Sequence, residues 1–325
     1  MKNKSISDET TVKTPPSYCL FQDSWWLDLV TGGDWEEVCV QSGDEIVARL
    51  PFIKRRKYGL TVVCQPVLTP YSGVCLRPLQ GKAASQFSEQ RRLTVELVDK
   101  LPRYDLFWQN LWPGATNWLP LFWSGFAEMS YFTNWICDLR DIDMLWRGFV
   151  DKTRWEIKKA QKQVRTIVSD DVDKLCDVYE RTFAQQGIRQ SCPRHVLFRA
   201  VDGAVRRGNG RITFAEDEKG NTHAVNFLVY DERSAHYLVG GSDKRFRTSG
   251  AASLLVWEAI KFAATKSMIF DFEGSMVEPI SRFFRGFNPV ATPISRVYKL
   301  SRRAQFIFGL RDAAAAIVGR PPLRL

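Results

Sequence analysis

Residues 236–275 read HYLVGGSDKRFRTSGAASLLVWEAIKFAATKSMIFDFEGS: a strand, a glycine-containing turn, a helix, a second strand and an acidic turn. His236 to Val239 are partly β-branched or aromatic and alternate, which suits a strand. Gly240-Gly241-Ser242 ends it. Thr248 or Ser249 is placed to cap a helix from Gly250, and Leu254, Leu255, Ala259, Phe262 and Ala263 recur at helical spacing. Met268 to Phe272 is the short apolar run of a strand buried on both faces. A strand–helix–strand crossover of this kind leaves unbonded N–H groups at the helix start, beside the strand ends. A phosphate-bearing ligand is held there at least cost.

The helix entry adds a pattern, Arg247-x-x-Gly250-x-Ala252, with Ser249 and Ala251 inside it and Lys244 and Arg245 just before. Glycine lets a backbone approach a pyrophosphate closely, and the bases add positive charge at the same end. An ordinary helix start with a solvated basic turn would use the same residues, so Lys244, Arg247, Ser249, Gly250, Ala251 and Ala252 stand as candidates for holding a phosphate.

The 325 residues carry a formal charge of +10. That favours an anionic partner without choosing among a nucleotide cofactor, a tRNA, a nucleotide-sugar and an anionic membrane face. No apolar run reaches the ~18 residues needed to span a bilayer. The first 17 residues are polar and lack the apolar core of a secretory signal, so they are expected to be a disordered tail on a cytoplasmic protein. Seven scattered cysteines form no C-x-x-C, and none of the three histidines pairs with one at ligand spacing, so reduced thiols and no metal are expected.

In chain order, residues 18–142 read as a first α/β unit. A helix begins at Asp23 or Ser24, a hairpin turns at Ser42-Gly43-Asp44, and the bases Lys54 to Lys57 precede a further strand. The loop Gln65 to Gly73 holds two prolines and Tyr71, and shaped loops of this kind line sites. Residues 143–300 form the second unit, opening on one helix from Asp143 to Val164. On that helix Arg154, Lys158, Lys162 and Arg165 share a stripe, either a solvated face or an anion-facing one at the domain junction. The elements then run β-α-α-β-β-β-α-β-α-β. Residues 301–325 are a basic tail that is expected to pack back on the domain as a helix, with peripheral membrane contact as the alternative.

That element order, with Arg-x-x-Gly-x-Ala after the fourth strand of the second unit, resembles the GNAT acyltransferase fold. The stretches LPFIKRRKYGL, QPVLTPYSG, NWLPLFWSGF, TRWEIKKAQK, LLVWEAI and FDFEGSMVEPISRFFRGF are similar to the FemAB-like branch of that superfamily. The resemblance implies an α/β (α+β) fold of two tandem GNAT-like domains, each a mixed, mostly antiparallel sheet flanked by helices. It implies acyl transfer to an amine or hydroxyl, most plainly N-acetyl transfer from acetyl-CoA or another acyl-CoA. The acceptor would be a small molecule or glycan precursor in cell-surface polysaccharide assembly. Its alternative is a Fem-type transferase using aminoacyl-tRNA on a peptidoglycan precursor, the one case in which nucleic acid is expected as a partner. A reading of another class is a binding module for an anionic glycan precursor or RNA, without chemistry.

Direct acyl transfer needs a base for the acceptor, a donor to the carbonyl oxygen and a proton for the leaving group. In a GNAT fold the acyl group sits where the fourth and fifth strands part, which puts Tyr237 to Gly241 and Asp271 to Ser275 nearest. Glu273 follows an apolar strand, where burial would raise its pKa, and is the first candidate for the base. Asp271 and Tyr237 are the other catalytic candidates. Arg285, Ser275, Arg154, Lys158 and Tyr71 are candidates for holding substrate. Capping of the following helix would account for the two acids, and the helix dipole for Arg285, without any chemistry.

Overall fold

The computed structural model describes residues 17–317 apart from 116, 188, 189, 191 and 275, with no side-chain description at 186 and 310–317. The first half contains α1 (Ser24–Thr31), β1 (Glu36–Ser42), β2 (Glu45–Lys57), β3 (Leu60–Cys64), β4 (Cys75–Leu76), α2 (Ala83–Asp99), β5 (Leu106–Asn110), α3 (Leu119–Trp123) and β6 (Ala127–Ile136). The second contains α4 (Ile142–Gly148), α5 (Asp151–Ala160), β7 (Arg165–Val168), α6 (Val172–Gln186), α7 (Arg194–Arg207), β8 (Gly210–Glu216), β9 (Thr222–Tyr230) and β10 (Ser234–Ser242). It closes with α8 (Ala251–Ala263), β11 (Ile269–Asp271), α9 (Glu278–Arg285), β12 (Val290–Leu300) and α10 (Arg302–Ile317). From β7 onward this is the order that the sequence predicts.

The strands form one sheet in the order β1-β2-β3-β5-β12-β6-β11-β10-β9-β8-β7, with β4 paired to β2 off that path. The two halves exchange strands across the centre. β6, from the first half, pairs antiparallel with β11 of the second, while β12, the last strand, pairs antiparallel with both β5 and β6. Local pairing follows composition. β9 is buried over seven of its nine residues, as a strand covered on both faces must be. Helices α1, α6 and α7 cover one face, around Trp26, Leu175, Leu197 and Phe227. Helices α5 and α8 cover the other, around Ile157, Leu255, Phe270 and Phe287.

The single helix predicted over 143–164 is two. Phe149 and Val150 are extended (ψ 148 and 140), which stops α4 and starts α5. The physical reason is packing: the Phe149 ring lies between Trp257 and Phe287, with centroids 5.2 Å away on each side. Arg154 seals the break. Its guanidinium donates to the carbonyls of Arg147 (2.7 Å) and Phe149 and pairs with Asp151. It therefore closes a helix end rather than joining an anion-facing stripe. α10 packs back as expected, with Phe308 against the cluster of Val62, Cys64 and Leu106.

Candidate functional site

β10 and β11 run parallel through only three pairs, Ser234↔Ile269, Ala235↔Phe270 and His236↔Asp271. Beyond them the strands part. β10 continues to Ser242 along β9, with a bulge that leaves Leu238 without a cross-strand partner. The other chain turns away: Phe272 N–H donates to the Asn134 carbonyl (3.0 Å) of β6. A wedge opens between them, and at its apex five side chains converge: His236 of β10, Asp271 of β11, Glu273 just beyond it, Thr133 of β6 and Tyr71 of a loop.

Asp271 is fully buried and accepts from Tyr71 Oη (2.7 Å) and Thr133 Oγ1 (2.5 Å). Its Oδ1 also accepts the Glu273 N–H (2.8 Å), which bends the chain so that Glu273 turns back toward the strand it has just left. Glu273 has φ +56, a left-handed conformation that costs a non-glycine residue about 1–3 kcal/mol and persists where its surroundings hold it. Gly274 holds it from the other side. The Gly274 N–H donates to Thr133 Oγ1 (3.0 Å), and a β-carbon there would stand 2.1 Å from the Phe132 carbonyl oxygen. Glu273 Oε1 lies 2.6 Å from His236 Nδ1, and His236 Nε2 lies 2.8 Å from Ser234 Oγ. Asp271 Oδ2 is 3.6 Å from the same Nδ1. Phe21, Tyr71 and Trp112 pack round the imidazole, Phe21 at 4.6 Å.

Burial, reinforced by the Asp271 charge, pushes Glu273 up to about 8. Burial alone would lower His236, but hydrogen bonds to Asp271 and Glu273 outweigh it and raise the imidazole to about 9. Burial opposes ionisation of Asp271 as well, yet His236, Thr133 and Tyr71 hold its pKa below the usual carboxylate value. The Tyr71 hydroxyl is pushed well up, by burial and then by Asp271, and so remains a donor. Glu273 and His236 titrate as a coupled pair. Both are raised, so the folded protein holds more protons than the unfolded chain from about pH 5 to pH 9, and stability falls as pH rises through that window. Thermal midpoints measured at intervals of pH are expected to be highest near pH 5 and to fall by several degrees by pH 9. Glu273→Gln should flatten the part below pH 8.

His236, Asp271 and Glu273 also offer one nitrogen and two carboxylate oxygens within 4.8 Å of one another, the spacing of a metal's ligands. The two acids are already hydrogen-bonded to Tyr71, Thr133 and His236.

The structure brings together Glu273, Asp271 and Tyr71. It does not bring Tyr237 to them. That ring lies on the other face of β10, edge-on to Phe284 at 6.1 Å, and a β-carbon at Gly240 would lie 2.4 Å from its hydroxyl. Burial raises the Tyr237 hydroxyl far above its usual value. Arg285 and Lys158 are exposed on α9 and α5. Ser275 lies outside the described residues. His236 and Thr133 are members that sequence reasoning missed. The one available signal was a histidine at an inward position of an apolar strand.

The helix entry differs from the expected phosphate cradle. Residues Lys244–Ser249 form a 3-10 turn, and Gly250 (φ +80) is the N-cap of α8, in place of a capping Thr248 or Ser249. Ser249 Oγ accepts from Ala251 N–H (3.2 Å), and Lys244 and Arg247 are exposed. α5 stands against this turn. A β-carbon at Gly250 would meet the Glu156 carbonyl oxygen at 2.4 Å, the Glu156 carboxylate accepts from Ser253 Oγ (2.8 Å), and Lys159 Nζ donates to the Thr248 carbonyl (2.8 Å). Ala251 is buried and Ala252 half-buried. The bulky Phe246 is stacked on His223, with centroids 4.0 Å apart.

Residues 149–276 match the family model of the acetyltransferase (GNAT) domain. No curated protein matches the sequence. Among solved structures the chain is similar to FemX (TM-score 0.62, 11% identity, 90% of this chain and 94% of that one). It is also similar to the C-terminal domain of a putative lysylphosphatidylglycerol synthetase from Agrobacterium fabrum (0.55, 14%, 90% and 92%). A third is L-PGS from Bacillus licheniformis (0.53, 13%, 92% and 92%). At these identities the likeness is one of fold.

Proposed function

We propose that this protein, whose residues 149–276 match the acetyltransferase (GNAT) domain and whose fold is similar to that of FemX, transfers an activated acyl group directly to an amine, with Glu273 as the base. The observation that carries this reading is Glu273 at the apex of the wedge: its side chain is 10% exposed, it is bonded to His236, and its pKa is raised to about 8. A base poised there removes a proton from an ammonium acceptor near neutral pH. His236, held between the two acids, orients Glu273 and shares its proton. Leu238, unpaired in the bulge, supplies a backbone N–H to the developing oxyanion in this reading, and the proton that Glu273 takes up leaves with the departing oxygen or sulfur.

The donor is read from the start of α8. A CoA thioester would need its pyrophosphate against Gly250, where the α5 backbone and the Glu156 carboxylate stand. This favours an aminoacyl ester carried on tRNA, with the amine of a cell-surface precursor as acceptor. The acyl-CoA reading rests on the GNAT match and the retained Arg247-x-x-Gly250-x-Ala252. Calorimetry separates the two. No heat is expected at millimolar CoA, together with tRNA binding that weakens steeply with salt. Micromolar affinity for CoA would return the donor to a thioester.

A further inference from the structure

The β2–β3 hairpin of the first half carries a concentration of bases that take no part in the cluster around Glu273. Lys54 to Lys57 are the last four residues of β2, all exposed. Alternation along a strand sends Lys54 and Arg56 to one face and Arg55 and Lys57 to the other, so the β2–β3 hairpin is charged on both sides. At its tip Tyr58 is 61% exposed, with φ +52. Asn or Gly takes that conformation at least cost, and a bulky aromatic there is out of place in a turn that serves only to reverse the chain.

Two adjoining depressions of about 560 and 400 Å3 lie beside the hairpin, sharing Thr61, Pro102 and Arg103. Arg55, Arg56 and Lys299 also line them. α10 starts at the same place: Arg303 Nη2 donates to the Gly59 carbonyl (3.3 Å), and Phe306, one turn on, is 68% exposed. Arg56, Arg103 and Arg302 have no ion pair among the described residues. The neighbouring acids are engaged, Asp105 with the Thr61 N–H and Ser301 and Glu36 with Lys54.

We propose that this hairpin tip and the start of α10 dock the protein on a membrane surface bearing anionic phospholipid headgroups. The bases meet lipid phosphates, and Tyr58 and Phe306 enter the interface beneath them. A nucleic-acid strand would lie along one face of the hairpin. A ring of charge around a protruding tip, crowned by an exposed aromatic, fits a headgroup layer that surrounds it. The inference does not rest on the acyl donor or on Glu273.

The test is co-sedimentation of the full chain with vesicles of phosphatidylcholine alone or with about one-third phosphatidylglycerol. Binding to the anionic vesicles only, weakening as salt is raised, is expected. Each base near an anionic leaflet is worth about fivefold in binding, so the pair Arg56→Glu with Arg103→Glu should lower it at least twentyfold. Tyr58→Asn with Phe306→Ser should lower it several-fold. All four positions are at the surface, and unchanged circular dichroism and thermal midpoints establish that the variants are folded. The proposal is overturned by equal binding to both vesicle types or to neither, or by either pair of variants binding anionic vesicles like the original. It is also overturned if the charge variants lose affinity for tRNA while keeping the vesicles.

Discussion

Glu273→Gln is expected to lower turnover about a thousandfold, the usual scale for loss of a positioned base, while leaving the protein folded. Glutamine matches the shape of glutamate, and its amide can still meet His236, now 2.6 Å from the carboxylate oxygen. It cannot accept a proton. In the unmodified protein the rate should rise with pH and level off above about 8, because only the ionised carboxylate is a base and burial has pushed its pKa there. The variant should lose that rise along with its rate. A glutamine variant within tenfold of the original would remove Glu273 from the chemistry and leave the cluster as a structural joint. A non-catalytic scaffold would bind its ligand equally well with either residue.

Gly274→Ala should destabilise the protein by about 3 kcal/mol or more. The added carbon would stand 2.1 Å from the Phe132 carbonyl oxygen and 2.4 Å from the Thr133 α-carbon, both backbone atoms of β6 that no rotamer change can move. Shifting β6 would pull Thr133 away from Asp271 and from the Gly274 N–H. Denaturant titration reads the loss, with Gly309→Ala as the control, since a β-carbon there meets nothing within 4 Å. A change below about 0.5 kcal/mol at Gly274 would mean that β6 is free to move and that the left-handed Glu273 is not clamped.

Much of the second half was legible because its elements are local. The apolar periodicity of α8 and the short apolar run of β11 each follow from a window of a dozen residues. Asp271 and Glu273 stood out because two carboxylates close a short apolar strand. What could not be read was whatever depends on partners distant in sequence. His236 becomes part of the site only because β10 and β11 pair in that register, and Thr133 only because β6 crosses from the first half. The phosphate reading of Gly250 rests on six residues, whereas the backbone of α5 that packs against that glycine lies some 90 residues earlier, and nothing local announces it. The break at Phe149 was hidden for the same reason, since the rings that receive it belong to α8 and the segment after α9.

The crossing of β6 and β12 has a kinetic side. Residues 127–136 find their neighbour only when residues 290–298 arrive, and those residues must also reach β5. Pairing across so long an intervening loop is slow, because its closure entropy is lost before any contact is gained. Neither lobe can finish alone, and during synthesis the first must wait with an unmated edge until nearly the whole polypeptide has emerged. Glu273, held against that crossing through Gly274 and Thr133, is therefore among the last parts of the molecule to be put in order.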